Sequence, residues 1–202
     1  LLAEAGHDVT SIIRNPEHAA EVEAAGAAPL VLDVERAGEE DLVQAFRDAD
    51  NVVFSAGAGG GDPARTRAVD HDAALATMRA AEAAGVRRYV MVSSPGASLN
   101  HAVPEDDSFH AYAQAKAEAD EALRDTGLAW TILGPAALTL EEPTGRITVD
   151  PDLDAPDAPT GEVSRGNVAR ALVAVLAAPS TVGRKIDFVD GDTPVAEAVR
   201  GA

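Results

Sequence analysis

Short apolar runs alternate with alanine-rich stretches of helical period along the first two thirds of the chain. The runs Val9–Ile13, Pro29–Leu32, Asn51–Ser55, Arg88–Ser93 and Ala129–Leu133 have the length and composition of strands. Between them the spacing of apolar positions predicts helices at about 16–25, 39–48, 63–84 and 109–125. The punctuation agrees with these elements. Asn15-Pro16 and Asp62-Pro63 each read as an N-cap followed by proline at the first helical position, and Gly6, Gly26, Gly85 and Gly127 fit helix C-termini. Strands that alternate with helices build βαβ units, so the expected class is α/β, a Rossmann-like doubly wound parallel sheet with helices on both faces.

The element order also predicts a gap. Leu1 to Ala5 reads as the last turn of a helix leading through Gly6 into the first strand. The strand and glycine-rich turn that open such a fold are therefore expected upstream of Leu1. In the strand order 3-2-1-4-5-6 that missing strand lies between the runs at 9–13 and 51–55, at the centre of the sheet. The natural protein is accordingly expected to be longer at its N-terminus, and these 202 residues alone to bind a dinucleotide weakly.

Composition narrows the chemistry. With 46% hydrophobic and 25% charged residues the chain has the balance of a folded domain with a sizeable core. No run approaches the ~20 apolar residues that span a bilayer, and the start lacks the pattern of a signal peptide, so a cytoplasmic location and no membrane partner are expected. The absence of cysteine removes disulfides, thiol nucleophiles and thiolate metal sites, and the five histidines show no metal-ligand spacing and read as surface positions. A net charge of −18 argues against a nucleic-acid partner, which requires a basic face. Acids spread over the whole chain beside only two lysines, Lys116 and Lys185, suggest a protein adapted to high salt. Residues 150–159, an acidic Pro/Asp-rich stretch, read as a lid or spacer.

The pair Tyr112 and Lys116 carries a chemical signal of its own. A spacing of four places both side chains on one helix face. An ammonium near a phenol is expected to lower its pKa from about 10 and so equip it for general acid/base work. Three stretches then point to a family: Val90-Met91-Val92-Ser93-Ser94, Tyr112-Ala113-Gln114-Ala115-Lys116 and Trp130-Thr131-Ile132-Leu133-Gly134-Pro135. In that order and spacing the chain resembles the atypical, NAD(P)-binding branch of the short-chain dehydrogenase/reductase superfamily, which includes epimerase-like members.

The resemblance implies a single NAD(P)-binding domain over 1–202, N-terminally truncated, with 134–165 and 185–202 forming a small substrate lobe within it. It implies that Tyr112 exchanges a proton with the substrate oxygen, that Lys116 holds the nicotinamide ribose, and that Ser93 or Ser94 orients the substrate. Asp70 stands where relatives place a residue near the lysine; it either tunes Lys116 through water or is an ordinary helix-surface acid. For the cofactor, the strand at 9–13 ends in Arg14 with no acid beside it, which favours NADP over NAD. Asp33 and Val34 match the family's adenine contact, Ser55, Ala56 and Gly57 the approach to the diphosphate and ribose, and Pro135 is a further expected cofactor contact. Two departures from the family stand out: Gly134 replaces a usual arginine, and Asn167 replaces a usual aspartate.

Two functions follow. One is an NADP(H)-dependent oxidoreductase or epimerase-like enzyme acting on a small carbonyl or hydroxyl substrate; the other is a non-catalytic NADP(H)-binding sensor or regulatory protein. The alanine face of the helix at 109–125, with Ala111, Ala115, Ala119 and Ala122, permits close packing on its own sheet or in a homodimer.

Overall fold

A computed structural model describes residues 1–59, 62–150 and 161–202. The expected lid at 150–159 lies, apart from Asp150, outside the described residues, as do Gly60 and Gly61.

Strand β1 (Thr10–Ile13) passes through a tight turn at Pro16–His18, where the Asn15 side chain accepts the Glu17 N–H, into helix α1 (Ala19–Ala24). Strand β2 (Ala28–Val31) returns parallel to β1, with Thr10 opposite Ala28 and Ile13 opposite Val31. Helix α2 (Glu39–Phe46) and strand β3 (Asn51–Phe54) follow. Asp62 then caps α3 (Pro63–Thr66) by accepting the amides of Ala64 and Arg65. The expected helix over 63–84 forms, but its Arg67–Ala73 segment is widened to π geometry before α4 (Ala74–Ala84) resumes. Gly85 ends α4 in the left-handed region, with φ 76°, which a glycine enters without penalty.

Strand β4 (Arg88–Val92), helix α5 (His110–Arg124) and strand β5 (Ala129–Pro135) agree with the sequence pattern to within two residues. Beyond Pro135 the chain adds β6 (Ala137–Thr139), β7 (Arg146–Val149), β8 (Glu162–Ser164), α6 (Arg165–Leu176), β9 (Arg184–Asp190), β10 (Thr193–Pro194) and α7 (Val195–Gly201).

Six strands form the main sheet in the order β10-β7-β9-β5-β4-β3, while β1-β2 and β6-β8 are separate parallel pairs. The core strands β3, β4, β5 and β9 are parallel, and β7 and β10 close one edge antiparallel. Residues 184–190 thus join the main sheet directly beside β5. Among the described residues β1 and β3 are not paired with each other.

Alternation along the parallel strands separates two cores. Tyr89, Met91 and Ile132 face α2, α4 and α5, while Val90, Leu133, Ile186 and Phe188 face α6 and α7. Helices therefore cover both faces, as the doubly wound class requires. No helix among the described residues is long and apolar enough to cross a membrane.

One family departure has a local cause. Asn167, fully buried near the start of α6, accepts the Gly145 N–H at 2.8 Å, and its amide nitrogen, with two protons to give, lies within reach of Asp190 Oδ1 at 2.7 Å, Thr144 Oγ1 at 3.0 Å and the Arg146 carbonyl at 3.1 Å. A carboxylate at this position could not donate and would face Asp190 as a like charge. Asn167→Asp is therefore expected to cost ~1–3 kcal/mol at neutral pH, read as a lower denaturant midpoint. A stability equal to that of the parent would show that Asp190 does not need the amide.

Candidate functional site

In a parallel sheet the strands' carboxyl ends lie on one edge, and here that edge carries the loops after β3, β4 and β5. Helix α5 crosses the same face and projects Tyr112, Lys116 and Asp120 along one stripe, at i, i+4 and i+8. The Lys116 ammonium lies 5.7 Å from the centre of the Tyr112 ring. It pairs with Asp70 Oδ1 at 3.0 Å and donates to the Val92 carbonyl at 3.3 Å.

Asp70 sits in the π segment, and its other oxygen accepts the Ala58 N–H at 3.0 Å. Its side chain is 2% exposed and that of Lys116 5%. Asp70 is thus neither a surface acid nor a partner through water, as the sequence had left open, but the direct counterion of the lysine. The π geometry is the local device behind this, because widening the turn changes which side chains face α5; such insertions recur at functional sites.

The acidity of Tyr112 departs from expectation. Burial pushes its pKa up to about 12, the negative charges of Asp70 and Asp120 add to the rise, and only a hydrogen bond from the Ser94 side chain pulls it down. The expected lowering by Lys116 fails because that ammonium is already neutralised by Asp70. In this state the phenol is a proton donor across the neutral range.

Of the two candidate serines, Ser94 contacts the phenol, whereas Ser93 Oγ is buried with no hydrogen-bond partner among the described residues. Ser55, Ala56 and Gly57 follow β3 at the same edge, and the backbone there passes so close to Asp70 that a Cβ on Gly57 would lie 3.3 Å from its Oδ1. Pro135 is buried at the end of β5. Arg14 ends β1 with its guanidinium on Glu35 Oε1 at 2.8 Å, and Arg65 reaches the same oxygen at 3.8 Å. Asp33 accepts the Glu35 N–H at 3.1 Å, and Val34 packs on the core beneath α2. The structure therefore gathers Tyr112, Lys116, Asp70 and Ser94 into one cluster and sets Arg14 with Asp33 and Glu35 in another.

Several participants were not singled out from sequence. Glu35 and Arg65 sit with Arg14, the charge of Asp120 acts on Tyr112, and Lys185 and Asp187 lie one contact further out, Lys185 paired with Asp120 and Asp187 beside Lys185. Asp120 could have been found from its i+4 spacing to Lys116, and Lys185 from its rarity. His71, read as a surface residue, is 8% exposed and lies between Asp72 and Glu118, with its ring nitrogens 2.7 and 3.2 Å from their carboxylates.

The groups present fit a nicotinamide dinucleotide. Lys116 has three donors, of which the described contacts use two, leaving one for a ribose hydroxyl. Ser93 Oγ supplies an uncommitted polar atom at the edge. Arg14 and Arg65 bring two cations to one carboxylate at the end of β1, an arrangement an anionic phosphate can enter by exchange.

Comparison with known proteins agrees with this geometry. Residues 1–179 match the NAD(P)H-binding family. The Bacillus subtilis (strain 168) protein named "uncharacterized sugar epimerase YhfK" is 34% identical over 195 residues, covering 96% of this chain and 87% of its own. A Bacillus halodurans structure, provisionally named an NAD-dependent epimerase/dehydratase, superposes with a TM-score of 0.87 at 31% identity over 100% of this chain and 91% of its own. The oxidoreductase ylbE from Lactococcus lactis gives 0.82 at 25% identity, over 99% and 87%. With its Rossmann-like sheet, its Tyr112–Lys116 stripe and these relatives, the chain belongs to the NAD(P)H-binding family, in the manner of the atypical short-chain dehydrogenases/reductases.

Proposed function

We propose that the protein is an NADP(H)-dependent oxidoreductase or epimerase-like enzyme acting on a small carbonyl or hydroxyl compound. The observation that carries this reading is the buried Asp70–Lys116 pair beside the Tyr112 phenol, with Ser94 next to that phenol. A nicotinamide dinucleotide, held by Lys116, Arg14 and the loop after β3, would supply or take up the hydride. Tyr112 gives the proton to the nascent alkoxide, or removes it in the reverse direction, and Ser94 orients the substrate oxygen toward the phenol. Lys116, fixed by Asp70 and the Val92 carbonyl, turns its remaining donor toward the ribose. The relatives named epimerase and oxidoreductase support the class of chemistry.

The test is titration of the protein with NADPH and NADH, then a panel of carbonyl compounds followed at the nicotinamide absorbance. Turnover that requires Tyr112 supports the enzyme. Tight NADPH binding with no turnover of any compound would instead make the protein a nucleotide sensor.

The preference for NADP is assigned to Arg14, with Arg65 beside it, as the seat of the 2′-phosphate. Glu35 now occupies both guanidinium groups. Arg14→Ala is therefore expected to weaken NADPH binding by roughly tenfold or more while leaving NADH nearly unchanged. Equal losses for the two cofactors would remove Arg14 from the specificity role.

A further inference from the structure

The only two lysines of the chain, set against fourteen arginines, both form buried ion pairs that involve α5: Lys116 of α5 with Asp70, and Lys185 with Asp120 of α5. Lys116 belongs to the cluster already described. Lys185, on β9, pairs with the fully buried Asp120 of α5 at 2.8 Å and donates to the Ala97 carbonyl at 3.4 Å. Two residues along the same strand face, Asp187 accepts the Gly96 N–H at 2.8 Å. The two β9 side chains thus hold a donor and an acceptor of consecutive backbone units in the loop that follows Ser94. Gly96 takes φ 62° within that loop, so the turn is held in a left-handed conformation where these bonds are made.

Gly134 is what lets the carboxylate reach this place. It is the register partner of Asp187 across β5 and β9. A Cβ on Gly134 would lie 1.9 Å from Asp187 Oδ1 and 3.1 Å from the Ser94 carbonyl, so any side chain there would expel the carboxylate. The replacement of the family's usual arginine by Gly134 and the presence of Asp187 form one arrangement.

We propose that Asp187 and Lys185 are positioning residues, a clamp from β9 that fixes the 94–97 loop and thereby holds the Ser94 hydroxyl on the Tyr112 phenol. The contacts close a circuit: Asp120 of α5 binds Lys185, β9 binds the loop, and the loop returns through Ser94 to Tyr112 of α5. The clamp does not act as a simple stabiliser. Burial raises the Asp187 pKa, with Asp150 and Asp120 adding to the rise and Lys185 and the Gly96 amide opposing it. A carboxyl whose folded pKa is raised loses stability for the fold as it ionises with rising pH. One of its oxygens, Oδ1, is also left buried without a hydrogen bond among the described residues.

This inference rests on the reductase or epimerase reading for its effect on rate, but the clamp itself can be read without turnover. Hydrogen exchange of the full-length protein decides it. Asp187→Ala is expected to speed exchange of the amides around 94–99 by about tenfold or more with little change elsewhere, and Gly134→Ala to do the same by displacing the carboxylate. In turnover, Asp187→Ala is expected to lower kcat by roughly ten- to a hundredfold with KM for NADPH unchanged, and Asp187→Asn, which still accepts the Gly96 N–H, to restore most of it. Unchanged exchange in Asp187→Ala would overturn the clamp. Faster exchange with an unchanged kcat would overturn its role in placing Ser94. If the parent protein reduces none of the compounds tried, the enzyme reading fails and the exchange experiment still decides the clamp.

Discussion

Tyr112→Phe is expected to lower kcat by about 10²–10⁴-fold, the range associated with removing a positioned general acid, while the affinity for NADPH stays within a factor of about two. The separation follows from position. Tyr112 is partly open at the carboxyl edge beside Ser94, whereas the groups assigned to the cofactor are Lys116, Arg14 and the loop after β3. Phenylalanine keeps the ring against Phe109, whose centroid is 5.2 Å away, so the packing of α5 should survive. The pH dependence has a fixed sign. With its pKa pushed up to about 12, the phenol stays protonated through the neutral range, so reduction should be nearly flat there and oxidation should rise toward alkaline pH. A variant that turns over like the parent would remove Tyr112 from the chemistry, and one that loses NADPH binding would recast it as a cofactor contact.

The elements up to Ala129 were legible in the sequence because each is a single periodic segment with its own caps; Asn15 and Asp62 perform the capping expected of them. The strands after Pro135 were not. They are three, four or two residues long at β6, β7, β8 and β10, too short for a period to register. Strand β9 is different, because Ile186 and Phe188 alternate with Lys185 and Asp187 in plain view. The Tyr112–Lys116 pair was legible since it depends only on helix spacing. The direction of the Tyr112 shift was not, because it is set first by the depth of burial and then by the charge of Asp70, which comes from another helix. Likewise Gly134 could be seen as a departure, but its reason lies 53 positions away in Asp187, across a strand pairing that no local pattern states.

The second large effect is structural. Asp70→Asn is expected to destabilise the protein by ~3–5 kcal/mol, because it strips the counterion from an ammonium buried at the centre of the site. For a chain of this size such a loss corresponds to a Tm lower by roughly 10 °C. The amide keeps the shape of the carboxylate and can still accept the Ala58 N–H, so the change isolates the charge. It also removes one of the negative charges that raise the Tyr112 pKa, so the alkaline limb of any activity profile should move to lower pH. Lys116→Met in the Asp70→Asn background supplies the control. Replacing a buried pair by groups that carry no charge is often neutral, so the double variant should recover much of the lost stability while remaining poor in NADPH binding. A double-mutant cycle then reads the coupling directly. Coupling near zero would mean that Asp70 and Lys116 are neighbours without being partners, and that the lysine is held by the Val92 carbonyl and its hydrocarbon packing alone.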